Sequence, residues 1–278
     1  MCRMSVLAAT VLTLSLAPLA PEAREKPKPA AIEPAKADPK AQAVAPPLKA
    51  SPEERRMAQR LDPLARAAFW GREADRDGRD VEAAVNLSQA LRAMGRFDDA
   101  GAAVQRALVV EPGNVQALLE LARVHIGRGQ GFYAIEPLKA AMAASPRDWR
   151  SASLLGIALE QAGRDEEALA AHRQAVSIAP DNASALGNLA MYYAGHGDAA
   201  QAEKLLRQAA AKPGADITVR QNLVLVLGLQ GRLDEAERLA RQDLPPEMVA
   251  NNMAYLRAAA GPAAGTQPRS WEAMRSAQ

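Results

Sequence analysis

The feature that most constrains this chain is a ladder of glycines spaced 34 residues apart. An alanine follows each glycine by five residues and repeats the same spacing. The ten ladder positions are Gly95, Ala100, Gly129, Ala134, Gly163, Ala168, Gly197, Ala202, Gly231 and Ala236. A leucine ladder keeps the same register at Leu87, Leu121, Leu155, Leu189 and Leu223. A fixed period of this length indicates that one small supersecondary unit is repeated along the chain.

The first unit, residues 81–114, shows what each period encodes. Leu87 and Leu91 lie at helical spacing and predict a first helix that ends at Gly95. A second helix carries Ala100 and stops before Pro112, because proline lacks the N–H needed to continue a helix. The two helices are expected to form an antiparallel hairpin. Such a hairpin cannot bury its apolar face alone, so its stability must come from stacking on neighbouring units.

The period and residue types resemble the tetratricopeptide repeat (TPR) family. The resemblance covers residues 81–250, which divide into five units: 81–114, 115–148, 149–182, 183–216 and 217–250. It implies an all-α fold, a right-handed α-solenoid of about five TPR helix hairpins with N- and C-terminal capping helices.

Two units are expected to deviate from this pattern. Pro137 lies inside the predicted second helix of the second unit and is expected to kink or delay it. Pro213, in the fourth unit, stands one residue out of the register of the earlier prolines. The boundary between the fourth and fifth units is therefore expected to be shifted.

The segments that flank the repeats have other compositions. Residues 1–20 place Arg3 before an apolar run that is too short to span a bilayer comfortably, which predicts a secretory signal peptide. An uncleaved apolar anchor is the alternative. Residues 21–50 hold seven prolines and nine alanines and predict a Pro/Ala-rich disordered linker.

The ends of the array are expected to be capped. Ser51 and Pro52 open a predicted N-terminal capping helix within residues 51–80, and Pro63 is expected to kink or divide it. A C-terminal capping helix is predicted over residues 247–260. Residues 261–278 are predicted to be a disordered tail.

The residue types that carry catalysis do not form a recognisable arrangement. His125, His172 and His196 lie in three different units without a cysteine beside them, so no metal site is predicted. Pairs of acids recur at one place in three units, which indicates helix N-termini rather than catalysis: Asp98-Asp99, Glu166-Glu167 and Asp234-Glu235. The chain is therefore predicted to be no enzyme and to bind no cofactor, metal or small-molecule substrate.

The net charge argues against nucleic acid as a partner, and the TPR resemblance implies that the partner is a protein. The net charge of +2 gives no strong overall field. First helices of TPR units line the surface on which partner segments dock, so the resemblance implies a binding groove. Its predicted positions are Gln89, Arg92, Leu119, Arg123, Arg150, Ser153, Ile157, Asn188, Met191, Gln221 and Leu225. This mixed lining is typical of a peptide groove.

Two details of the groove bear on its partner. Asn86, Asn188 and Asn222 share one place in their units, where they are expected to form hydrogen bonds either to a partner's backbone or to neighbouring turns.

The family's clamp for chaperone tails needs basic residues at set places. Arg150 fits one of them, but Leu154 occupies another. The resemblance therefore does not extend to that clamp.

A closer resemblance lies at the C-terminal end of the repeats. Residues 221–237, 243–247 and 252–257 resemble the end of TadD-type proteins, the TPR proteins of the tight-adherence (Flp) pilus assembly system of bacteria. This implies a periplasmic assembly factor whose partner is a secretin or another pilus-assembly protein. TadD-type proteins are typically outer-membrane lipoproteins, whereas this sequence shows no lipobox cysteine, so membrane association stays open. The alternative is a generic TPR adaptor or regulator of another envelope or cytoplasmic complex.

Overall fold

A computed structural model describes residues 49–260, with side chains as far as residue 258. Within this part, the chain forms thirteen α-helices and no strands, which confirms the predicted all-α fold. The predicted signal peptide, the predicted tail and nearly all of the predicted linker lie outside the described residues. No helix in the described part is both long enough and apolar enough to cross a membrane.

Two helices precede the repeats, and ten helices form five consecutive hairpins. The first two are α1 (Pro52–Ala58) and α2 (Pro63–Arg76), so Pro63 divides the predicted capping segment. The hairpins are α3 (Val81–Ala93) with α4 (Phe97–Val110), α5 (Val115–Gly127) with α6 (Gly131–Ala144), α7 (Trp149–Gln161) with α8 (Asp165–Ile178), α9 (Ala183–Gly195) with α10 (Ala199–Ala210), and α11 (Ile217–Leu229) with α12 (Leu233–Ala240). A last helix, α13 (Pro246–Ala260), follows them.

The ladder residues explain the shape of each hairpin. The five ladder glycines have φ between 70° and 84°, a left-handed conformation that glycine adopts without steric cost. This conformation reverses the chain between the two helices of every unit. The five ladder alanines have no exposed surface, because each lies where the second helix crosses its neighbours.

A further ladder, which the sequence analysis missed, begins every first helix. A side-chain oxygen of each residue accepts a hydrogen bond of 2.9 to 3.1 Å from a backbone N–H in the first turn. The capping residues are Asp80, Asn114, Asp148, Asn182 and Asp216. Such caps satisfy N–H groups that have no partner inside the helix. Their 34-residue spacing was visible in the sequence.

The recurrent acids lie in the first turns of α4, α8 and α12, as the helix-dipole interpretation predicts. The arginine that precedes each of these helices contacts one of the acids. Arg96 Nε donates to Asp99 at 2.8 Å, and Arg164 Nε donates to Glu167 at 2.7 Å. Arg232 and Glu235 form the third pair. These acids therefore stabilise turns.

Neither of the two expected deviations shifts the register of the repeats. The prediction that Pro137 delays its helix is wrong, because α6 begins at Gly131, in register with α4, and continues past the proline without a break. Pro213 lies in the connection after α10. The first helix of the fifth unit still begins 34 residues after that of the fourth, so only the end of α10 is shortened.

Both ends of the array are covered. At the N-terminal end, α2 packs against α3 and buries Trp70 completely. Arg55 on α1 is held by Glu73, 2.8 Å from its Nη2 atom, and by Asp80, 2.6 Å from the same atom. At the C-terminal end, α13 packs against α11, where Leu256 lies so close to Gly228 that a Cβ on this glycine would be 2.6 Å from the leucine side chain.

Candidate partner-binding face

Consecutive first helices contact each other as well as their hairpin partners. α3 contacts α5, α5 contacts α7, α7 contacts α9, and α9 contacts α11. The first helices therefore form one continuous layer. We call the surface of this layer that carries the predicted groove positions the first-helix face. Its reachable side chains are Gln89, Arg92, Arg123, Arg150, Leu154, Ile157, Asn188, Met191, Gln221, Asn222 and Leu225, all half-buried.

Two of the eleven predicted groove residues are not reachable. Leu119 has no exposed surface, and Ser153 is 1% exposed, so neither can contact a partner. Both occupy the fifth position of their units, as do Val85 and Gly187, which are also buried. The approach of neighbouring first helices covers this position in the first four units, whereas Gln221, at the same place in the fifth unit, is half-buried. The prediction for Leu119 and Ser153 is therefore wrong.

A buried glutamate organises the N-terminal half of the face. Glu120 on α5 has no exposed surface, yet it carries a carboxyl group. Arg92 Nε donates to its Oε1 atom at 2.7 Å, and Arg92 Nη2 donates to its Oε2 atom at 3.3 Å. Such a bidentate contact neutralises the buried carboxylate. Glu120 was not among the predicted residues, although Asn86, Asn188 and Asn222 occupy the equivalent place in other units.

Arg123 lies on the same helix but has fewer partners. Its Nη1 atom is 3.7 Å from Glu120 Oε2, and it makes no side-chain hydrogen bond to any described residue. Burial is the main cause that lowers the pKa of Arg123. Glu120 and Asp148 act to raise this pKa, while the like charges of Arg92 and Arg150 lower it further. The guanidinium is thus half-desolvated beside two other cations.

The third arginine of this group has its own carboxylate. Arg150 Nε is 2.8 Å from Asp148 Oδ1, and Arg150 Nη2 is 2.5 Å from Asp148 Oδ2. Hydrogen bonding to Asp148 is the largest cause that raises the pKa of Arg150 and, in return, lowers that of Asp148. The group therefore contains three guanidiniums and two carboxylates, with a net charge of +1. Arg123 carries the unmatched charge.

The C-terminal half of the face is apolar with interspersed amides. Leu154, Ile157, Met191 and Leu225 supply half-buried apolar side chains. Asn188 Nδ2 donates to Ser153 Oγ at 2.7 Å, and so joins α9 to α7.

The asparagines and Gln221 differ in how their amides are used. Asn86 Nδ2 donates to Glu82 O within its own helix. Asn86 Oδ1 also accepts a hydrogen bond of 2.7 Å from Gln59 Nε2, in the turn after α1, whereas Asn188 bonds to the neighbouring first helix. The Nε2 atom of Gln221 is buried and has no hydrogen-bond partner among the described residues.

The three histidines do not converge. His172 is fully buried in the core position that Val104, Leu138 and Leu206 fill in other units. Its Nε2 atom is 2.6 Å from Glu160 Oε1. Among residues 49–260, no cluster of three or more histidine, cysteine, aspartate or glutamate side chains is placed to hold a metal ion.

Comparison with known families decides what the hairpins are. The family described as tetratricopeptide repeat matches residues 81–106, 151–184, 182–212 and 220–242. The helical hairpins of this chain are tetratricopeptide repeats. The matched stretches lie in the first, third, fourth and fifth TPR units. No curated protein matches significantly.

Solved structures agree with the TPR assignment. A thermophilic TPR protein from Thermus thermophilus is 27% identical, with a TM-score of 0.57, and the match covers 63% of this chain and 98% of that protein. A chain of the APC/C hetero-tetramer Cut9–Hcn1 is 17% identical with a TM-score of 0.55, and the match covers 70% of this chain and 39% of that chain. MamA of Desulfovibrio magneticus RS-1 is 22% identical with a TM-score of 0.49, and the match covers 56% of this chain and 89% of the MamA chain. The first two matches confirm the predicted TPR solenoid.

Proposed function

We propose that this protein is a non-enzymatic scaffold that binds a segment of a protein partner on the first-helix face. The observation that carries this proposal is the row of half-buried side chains that the first helices leave reachable across all five TPR units. Stacked helical repeats create extended surfaces of this kind, and protein segments dock on them. The nine predicted groove residues that remain reachable all belong to this row.

We further propose that the scaffold is a periplasmic assembly factor for a Tad/Flp-type pilus or secretion machine. Two features of the sequence support this proposal. Residues 1–20 have the pattern of a secretory signal, and residues 221–257 resemble the end of TadD-type proteins. The partner would then be a secretin or another pilus-assembly protein.

A second candidate is a TPR adaptor or regulator of another envelope or cytoplasmic complex. It is favoured by the extent of the two resemblances, since the general TPR pattern covers residues 81–250 and the TadD-type pattern lies only within residues 221–257. In this case the same face would bind a protein segment, but the partner would not belong to a pilus system.

Capture of partners from native cells tests both proposals. The full-length chain, tagged at its C-terminus, would be purified from envelope and cytoplasmic fractions, and the retained proteins would be identified by mass spectrometry. A triple variant, Gln89→Leu, Arg123→Leu and Ile157→Lys, changes the face. The matched control, Gln105→Leu, Arg106→Leu and Val109→Lys, makes similar changes on the exposed side of α4. Circular dichroism checks that both variants keep their helical content and melting temperature.

The outcomes separate the proposals. Recovery of a secretin or another pilus-assembly protein by the wild type and the control, but not by the face variant, supports both. Loss of an unrelated complex from the face variant alone keeps the scaffold and removes the pilus role. Equal recovery by all three proteins would overturn binding at this face. A fusion of residues 1–50 to a reporter that is active only outside the cytoplasm tests export separately.

A further inference from the structure

We propose that the first-helix face binds a partner segment with an internal aspartate or glutamate, whose carboxylate pairs with Arg123, and with apolar side chains that lie toward the later units. This inference rests on the proposed function and specifies the chemistry of the partner. It also specifies which part of the segment lies beside the earlier units and which part beside the later units.

The charge balance of the N-terminal half is the first step. Arg92 uses its donors on the buried carboxylate of Glu120, and Arg150 uses its donors on Asp148. Neither carboxylate is left for Arg123, which approaches Glu120 only to 3.7 Å. The guanidinium therefore keeps its hydrogen-bond donors available while its side chain is 28% exposed. A partly desolvated cation that makes no hydrogen bond to a carboxylate is a site for one.

The geometry of the group favours a carboxylate over other ligands. A guanidinium presents its donors in a planar fork that matches the two oxygens of a carboxylate. The positive charges of Arg92 and Arg150 lower the pKa of Arg123, which shows that both lie close to it. They therefore add to the positive potential around its guanidinium. Because the net charge of the group is only +1, we expect one carboxylate rather than a run of acids.

The rest of the face determines what accompanies the acid. Toward the C-terminal end, Ile157, Met191 and Leu225 are half-buried and apolar. A segment that placed its acid beside Arg123 and its apolar residues beside the later units would satisfy both halves at once.

Selection from a peptide library tests this inference. Random twelve-residue peptides displayed at the N-terminus of a phage coat protein have no free C-terminus, so a terminal carboxylate cannot contribute. The baits are the full-length wild type, Arg123→Gln, Arg123→Lys and the control Arg106→Gln, which removes an exposed arginine from α4. Arg123→Gln is not expected to disturb folding, because Arg123 makes no side-chain hydrogen bond to the described residues.

The expected result is a motif with one acidic position and apolar positions to one side of it. Selected peptides should bind Arg123→Gln at least about tenfold more weakly than the wild type, since a charge-assisted hydrogen bond is lost. Binding to Arg123→Lys should be intermediate, and binding to Arg106→Gln should be unchanged.

Other outcomes distinguish this inference from the proposed function. Peptides without an acidic position that still lose binding to the triple face variant would overturn the role of Arg123 and keep the scaffold. Peptides that bind the triple variant as well as the wild type would overturn both. Equal binding of an acidic motif to the wild type and Arg123→Gln would place the carboxylate elsewhere and overturn the inference.

Discussion

Arg92 on α3 donates hydrogen bonds to both carboxylate oxygens of Glu120 on α5, a residue with no exposed surface. The pair joins the first helices of the first and second units. Loss of Arg92 would leave the buried carboxylate of Glu120 without its main partner. An unpaired buried charge lowers the stability of the folded state strongly, so the pair is important for stability.

We therefore predict that Arg92→Met destabilises the protein by about 2 to 3 kcal/mol. This loss is smaller than the loss expected for a fully buried ion pair, because Arg92 is partly exposed and Arg123 remains near Glu120. Adding Glu120→Met should restore most of this loss, since it removes the unpaired charge. Arg96→Met breaks an exposed pair with Asp99 and should cost less than about 1 kcal/mol. Urea unfolding of the four proteins measures these differences. A double variant no more stable than Arg92→Met would contradict the argument.

Two glycines in the second helices of neighbouring units should respond in opposite ways to alanine. A Cβ on Gly131 would lie 2.4 Å from the carbonyl oxygen of Ala158, which is backbone and cannot move aside. We predict that Gly131→Ala costs about 1 to 3 kcal/mol. A Cβ on Gly101, inside α4, would meet Val124 at an ordinary 3.7 Å. Gly101→Ala should stabilise the protein by up to about 1 kcal/mol through helix propensity. Thermal melts compare the two, and equal effects would refute the predicted contact.

The crossing point of the third unit offers a test of the repeat register. Ala168 has no exposed surface, whereas Ala170 on the same helix is exposed. We predict that Ala168→Trp destabilises the array by at least about 3 kcal/mol, because an indole does not fit between the helices. Ala170→Trp should change stability by less than about 0.5 kcal/mol. If Ala168→Trp melts like the wild type, the proposed register is incorrect.

The contact between Arg55 and Asp80 should make stability depend on pH. Burial acts to raise the pKa of Asp80, but hydrogen bonds from Arg55 and from the N–H of Ala83 outweigh it and lower this pKa to about 2. A carboxyl group whose pKa is lowered by folding stabilises the native state above its unfolded pKa. That stabilisation is lost as the pH falls through the folded value.

The variant Asp80→Asn isolates this charge, because asparagine also caps first helices in the second and fourth units. We predict that Asp80→Asn is less stable than the wild type between pH 5 and 7. The difference should shrink as the pH falls from about 4 to 2, the interval between the unfolded and folded pKa values. Urea midpoints across this range provide the measurement. A difference that does not depend on pH would show that the charge of Asp80 is unimportant.

The repeat period predicted most of the fold because its signals are local. A glycine that must adopt positive φ and an alanine at a crossing point mark each hairpin wherever they occur, so the first helices begin where the unit boundaries were drawn. The capping ladder from Asp80 to Asp216 is equally local, because each capping residue bonds to the first turn of its own helix.

The candidate first-helix face could be predicted only in part. Leu119 and Ser153 were assigned to it because they lie on the correct helices, but their burial depends on how closely the next helix approaches. The role of Glu120 could not be predicted, because it depends on a hydrogen bond from Arg92 of the preceding unit. Contacts of this kind, between residues of different units, do not follow from the pattern of a single unit.

Side-chain hydrogen bonds link every pair of adjacent TPR units. They join Arg92 to Glu120, Gln161 to the carbonyl of Ile126, Asn188 to Ser153, and Gln230 to the carbonyl of Ala199. Each bond opposes sliding or spreading of the units that it joins. In the proposed binding, the conformational entropy of the protein is therefore already reduced, and the entropic cost of association falls mainly on the incoming segment.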